Sequence, residues 1–251
     1  MAAQKTTGKI GLGTARLVVS AAAAFGLAGA LAACTTGSGP SSPAAGTTTA
    51  PVGSQHDVPN GAQLSKSLLT ASALPTGFAA DQSDSADSGA TLSDAAPTVN
   101  LSSATCSTIL DTLGQPGFGE ASYADGSFTP ASALGEFDET VFEFHGGGAA
   151  DFITRLRAAL GRCGSFDSSD DSGGVEAAKL TVDAAPKLGA SALSFSVWVD
   201  IGDADMVMTD VAVQSGTAVV YVDNSTLSSS PDAINLTSLA GQLLQRLPAA
   251  P

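Results

Sequence analysis

The chain is short of positive charge. Of its 251 residues only 10 are Lys or Arg, against 24 Asp or Glu, for a formal net charge of −14. Three of those bases (Lys5, Lys9 and Arg16) precede residue 34 and no acid does, so the remainder carries 7 − 24 = −17. A potential of that sign repels phosphate backbones and anionic headgroups, which excludes nucleic acid as a partner. Aromatic residues make up 5%, with a single Trp, and Gly numbers 28, so any core must be built largely from small side chains. Catalytic constellations are also missing. The two histidines are His56, in a polar tract, and His145, and no Gly-x-Ser-x-Gly stands near either. A hydrolase triad would rest on His145 alone. There is no HExxH, no Cys/His set with zinc spacing and no Gly-rich phosphate loop ending in Lys. Asp81, Asp84 and Asp87, and Asp167, Asp170 and Asp171, do not repeat the spacing of a calcium loop and are expected to be solvated. These absences lead to an expectation of no enzyme, no metal and no cofactor.

What is present begins with an address. Lys5, Lys9 and Arg16 form a positive segment, and Leu17 to Leu31 is an uncharged apolar run. The run is about 15 residues, short of the roughly 20 that a helix needs to cross a bilayer core. Leu31-Ala32-Ala33-Cys34 follows, and then a polar tract at once. This resembles the lipobox of bacterial lipoproteins. The resemblance implies that residues 1–33 are a signal peptide and that Cys34 becomes an acylated N-terminus. Each buried CH₂ of an acyl chain contributes about 0.8 kcal/mol, so two or three chains anchor stably. The expected location is the extracytoplasmic face of a cell membrane, held by the lipid.

If the lipid takes Cys34, Cys106 and Cys163 remain, and two cysteines in an exported body most simply pair. Their loop spans 163 − 106 = 57 residues and is worth about 4 kcal/mol by chain entropy. Two buried free thiols are the alternative.

Residues 34–60 are rich in Thr, Ser, Gly, Pro and Ala and have no hydrophobic periodicity. They read as a flexible tether, with a typical span of about 25–30 Å. Residues 61–251 then form one domain. The pattern predicts a short helix over 63–70, a polar loop over 80–99, and a helix capped by Ser102 or Ser103 that carries Cys106, Ile109, Leu110 and Leu113. A weak strand at 121–123 and a strong one at 137–145 come next, then a helix over 149–162 that leads to Cys163. Strands follow at 175–182, 192–201, 206–214 and 217–223, the last two joined through Ser215-Gly216, before a helix with Leu236, Leu239, Leu243 and Leu247. Consecutive strands with short links imply an α+β domain, an antiparallel sheet with helices on one face.

Along 192–201, Leu193, Phe195, Val197, Val199 and Ile201 take one face while Ser194, Ser196, Trp198 and Asp200 take the other. A lone Trp on a polar face offers large area with one polar handle, as recognition sites do. The candidate ligand-binding residues are Trp198, Asp200, Tyr221 and His145, with Glu143 and Asp210 expected on the same face. The opposing expectation is that Trp198 packs beneath a neighbouring loop.

Several elements together resemble the extracellular sensor domain of PknH-type mycobacterial kinases and related actinobacterial lipoproteins. They are Ser67-Leu68-Leu69, Leu74-Pro75-Thr76-Gly77-Phe78, Cys106 on a helix, the Phe142–Phe144 strand feeding the helix before Cys163, the hairpin over 207–222 and the last helix. The resemblance implies an α+β domain with a central antiparallel sheet and a cleft for an external ligand. Those kinase domains carry two disulfides, and this chain has cysteines for only one. A kinase domain is missing too, so a signal would pass through a partner. The expected function is a membrane-anchored, non-enzymatic ligand-binding module, its ligand an unknown small molecule or cell-wall fragment. An envelope protein-interaction scaffold, or a lipid carrier, is the alternative.

Overall fold

A computed structural model describes residues 58–93, 97–131, 135–169, 175–202, 205–228 and 234–248. The segment expected as a signal peptide, Cys34, His56, most of the stretch expected as a tether, and Asp170 and Asp171 lie outside the described residues. The elements run in the order α1 (Gly61–Leu64), β1 (Phe78–Asp87), α2 (Cys106–Thr112), β2 (Ser122–Pro130), β3 (Gly135–Glu143) and α3 (Gly148–Leu160). Then come β4 (Ser165–Ser169), β5 (Val175–Val182), β6 (Ser191–Asp200), β7 (Asp205–Ser215), β8 (Ala218–Leu227) and α4 (Leu236–Arg246). The strands form one sheet in the order β1-β2-β3-β8-β7-β6-β5-β4, with every neighbouring pair antiparallel.

The expected α+β class with an antiparallel sheet is what forms. The helices, however, divide between the two faces rather than gathering on one. On the first face Phe142, Phe195, Val197 and Val219 pack with Phe152, Ile153, Leu156 and Leu160 of α3 and Ile109 of α2. Phe118 joins Phe142, Phe144 and Phe152 there, its ring centroid 5.0 Å from that of Phe152. On the second face Val141, Val211, Val213, Val220 and Val222 pack with Leu236, Leu239, Ala240 and Leu243 of α4 and with Leu64 and Leu69. The central strands β3 and β8 are therefore buried on both sides. In β8 the continuous apolar run Ala218–Val222 is the reason, since a one-sided strand would alternate, whereas β3 buries Glu139, Thr140 and Glu143 along with Phe137, Val141 and Phe142.

Each helix is fixed by identifiable groups. Thr105 accepts from the Thr108 N–H at 3.2 Å to cap α2, and Asn235 caps α4 through the Ser238 N–H at 2.9 Å. In α3, Asp151 sits in the first turn and Arg157 in the last, both complementary to the helix dipole. Arg157 also donates to the Ala192 carbonyl at 2.9 Å, and Arg162 to that of Leu101 at 2.9 Å. The β7–β8 turn places Gly216 at φ +60°, a left-handed backbone that the tight link requires.

Three expectations need correction. In place of the helix expected over 63–70 there is a single α-helical turn, Gly61–Leu64, capped by Asn60, followed by a 3₁₀ turn over Ser65–Ser67. The polar stretch expected as a loop from 80 holds strand β1. Few of its side chains are covered, so no alternation betrays it; as an edge strand it is stabilised by pairing with β2. The weak strand at 121–123 belongs to the nine residues of β2. The short strand β4 at the opposite edge carried no expectation.

Cys106 and Cys163 are joined, with Cα atoms 5.7 Å apart. The bridge ties the first turn of α2 to the segment between α3 and β4. We predict that replacing both cysteines by Ser destabilises the body by up to about 4 kcal/mol, lowering Tm by roughly 8–16 °C. Thermal unfolding of the double variant beside the parent checks this. A shift below about 2 °C would show that the clamp contributes little.

Candidate functional site

Strand β6 divides its side chains as its sequence pattern demands. Leu193, Phe195, Val197 and Val199 enter the core under α3, while Ser194, Ser196, Trp198 and Asp200 point to the other side. That other side is covered by α4 only over β7 and β8. Beyond it, Trp198 is 44% exposed, the largest side chain standing in solvent among the described residues. The structure thus does not bury it beneath a loop.

Trp198 lines a groove of about 690 Å³ with Asp167, Lys179, Asp200 and Asp205. Strand register explains the grouping. Lys179 on β5 and Val207 on β7 stand directly opposite Trp198, and Asp200 faces Asp205 two residue pairs further along, on the same side of the sheet. Asp167 is paired with Ala177, two residues before Lys179 on the same side of β5. The aromatic plane therefore has a cation on one flank and two facing carboxylates beyond it. With three acids and one base the groove is net negative.

The other candidates lie elsewhere. Tyr221 is buried on the α3 side, where its hydroxyl donates to Asp210 and its ring lies beneath Gly114. A Cβ on Gly114 would stand 3.2 Å from that ring, and the residue has φ +79°. Glu143 shares the face of Trp198 but pairs with Ala218, whereas Trp198 lies level with Thr226 through Val207. Eight residues of β8 separate these rows, about 26 Å at 3.3 Å per residue. His145 follows Glu143 at that far end. The expected single face is thus split: Trp198 and Asp200 are together, Tyr221 and Asp210 are behind the sheet, and His145 is remote.

The sequence reading missed a set of buried and half-buried carboxylates. Asp138, Asp223 and Asp210 stand opposite one another on β3, β8 and β7. Like charges so placed repel, and burial further disfavours ionisation. Burial pushes Asp210 up to about 7, against the donated hydrogen bond from Tyr221. Asp223 is raised by burial and then by Asp138, Asp210 and Glu136. On the second face Glu139 is fully buried and pushed up to about 8 by desolvation, although it accepts from the Leu69 N–H at 2.7 Å and feels Arg246. The signal was in the sequence as acids at inward positions of otherwise apolar strands. Among the described residues no three His, Cys, Asp or Glu side chains are gathered so as to hold a metal ion.

These groups set the pH dependence of stability. A carboxyl with a raised folded-state pKa keeps its proton where the unfolded chain has lost it. For Glu139 and Asp210 the stabilisation is full below the unfolded values of 4.5 and 3.8 and is lost as pH rises through about 8 and about 7. We predict a lower Tm at about pH 8.5 than at about pH 5. Glu139→Gln, which keeps a neutral side chain throughout, should flatten that slope. Scanning calorimetry over the range tests it, and stability rising toward alkaline pH would contradict the assignment.

No protein-family model matches the sequence, and no curated protein matches it either. Among solved structures the chain is similar to the crystal structure of the extracellular domain of PknH from Mycobacterium tuberculosis. The likeness has a TM-score of 0.54 at 13% identity and covers 76% of this chain and 97% of that one. At that identity it is the fold that is shared: this chain has a PknH-like extracellular-domain fold.

Proposed function

We propose that the protein is a lipoprotein, anchored through Cys34 on the extracytoplasmic face of a membrane, whose body is a non-enzymatic, sensor-like ligand-binding domain. The observation that carries the reading is the exposed Trp198 in its groove, on a fold shared with an extracellular domain. A protein that hides nearly all its large apolar side chains and leaves its one indole in a concavity has a surface suited to recognition. The groove holds Asp167, Lys179, Asp200 and Asp205, so it offers an acyl chain no dry slot, which weighs against lipid carriage. The anchor rests on Leu31-Ala32-Ala33-Cys34 after an apolar run. Among the described residues no helix is long and apolar enough to cross a membrane.

Two measurements test the reading. Metabolic labelling with a fatty-acid probe should mark the protein and fail to mark Cys34→Ala. An unlabelled parent chain would remove the anchor. A thermal-shift screen of soluble envelope metabolites and cell-wall fragments should yield a ligand whose shift of several degrees disappears in Trp198→Ala. Ligand shifts that survive that substitution would move the site away from the groove.

A further inference from the structure

The groove's chemistry narrows the class of ligand. Trp198 presents a flat, electron-rich face to solvent, and a ring of that kind attracts a cation held above it. Asp200 and Asp205 oppose each other across β6 and β7, two residue pairs beyond the Trp198–Val207 pair and on the same side of the sheet. Two exposed carboxylates so placed repel unless a positive charge lies between or above them. Asp200 accepts from the Gly202 N–H at 3.0 Å through one oxygen, which steadies its carboxylate beside the indole. Asp167 adds a third negative charge, and Lys179 is the one cation lining the groove.

Anionic occupants are disfavoured by this charge, and a second copy of the chain is disfavoured by the −17 carried after residue 34. Charge complementarity commits the groove to the opposite sign. We propose, building on the binding role given above to this groove, that it takes a small organic cation. The alkylammonium or guanidinium head lies between Trp198 and the Asp200–Asp205 pair, and the apolar body rests on Val207. Trp198 supplies the cation–π face, the two carboxylates supply the counter-charge, and Lys179 bounds the opposite flank.

Choline and arginine amide are the probes for the two head groups, with dimethylbutanol, the uncharged carbon isostere of choline, as control and maltose as a neutral ring compound. Trp198 is the only Trp in the chain, so intrinsic fluorescence reads the site without labelling. At low ionic strength choline or arginine amide should change its emission saturably, with affinity falling as salt is added, and dimethylbutanol should not. By calorimetry, Asp200→Asn and Asp205→Asn should each weaken the cation about two- to fivefold, and Trp198→Leu should do at least as much. All three positions are exposed or at a strand end, so the variants are expected to fold, and an unchanged far-ultraviolet spectrum verifies it. Equal response to choline and its isostere, or none to either cation, overturns the proposal. Saturable binding of maltose alone overturns the cation while leaving the groove as a binding site.

Discussion

An eight-stranded sheet has two faces to shield, and among the described residues four α-helices shield them, the longest of thirteen residues. Most other features follow from where that cover falls. The two longest helices take opposite sides of the middle of the sheet, α3 over β6 and β7 and α4 over β7 and β8. The centre can therefore be apolar on both sides, as Val219, Val220 and Val222 are, each fully buried. The cover runs out toward β5 and β4. There the same sheet carries Lys179, Thr181 and Trp198 into solvent, and its twist makes that bare corner concave. The groove is thus a consequence of an incomplete second layer. The disulfide acts on the other face of the same region, holding α2 against the start of β4. It fixes the edge strand that borders the groove.

The shortage of bases explains the second peculiarity, carboxyls inside the body. Three of the seven bases beyond residue 34 donate to backbone carbonyls outside their own helix: Arg157 to Ala192, Arg162 to Leu101 and Arg246 to Leu68. They stitch helices to neighbouring segments and leave few cations for buried acids. Desolvation accordingly raises the pKa of Glu139, Asp210 and Asp223, and at Asp210 the hydrogen bond donated by Tyr221 offsets part of the rise. A buried charge without a partner is far more costly than a buried neutral acid that keeps its hydrogen bonds. Both faces of the sheet hold such a group, so the whole body, not one corner, senses proton activity in its stability.

Much of the fold was legible in the sequence, and what was not has a physical reason. The strong alternation of 192–201 placed Trp198 and Asp200 on the side away from α3, where they are found, because a half-covered strand must separate its faces. The helix before Cys163 and the last helix were readable from apolar stripes that each bury against one face. Strand β1 was not, because an edge strand draws its stability from backbone pairing and FAADQSDSAD has almost no side to bury. The division of helices between two faces was not either. Periodicity says that a helix has an apolar stripe but not which side of the sheet receives it. Tyr221 illustrates the limit: it sits one strand beyond β7 in the same sheet as Trp198, yet register turns it inward to Gly114. A slip of one residue would have reversed that outcome.

The single indole stands in solvent within a field of negative charge. Collisional quenching of its emission by caesium and by iodide, at matched low ionic strength, reads both properties at once. The expected result is a red-shifted emission that caesium quenches more efficiently than iodide, with the difference shrinking in Asp200→Asn/Asp205→Asn. A blue-shifted emission resistant to both ions, or one quenched more readily by iodide, would contradict it.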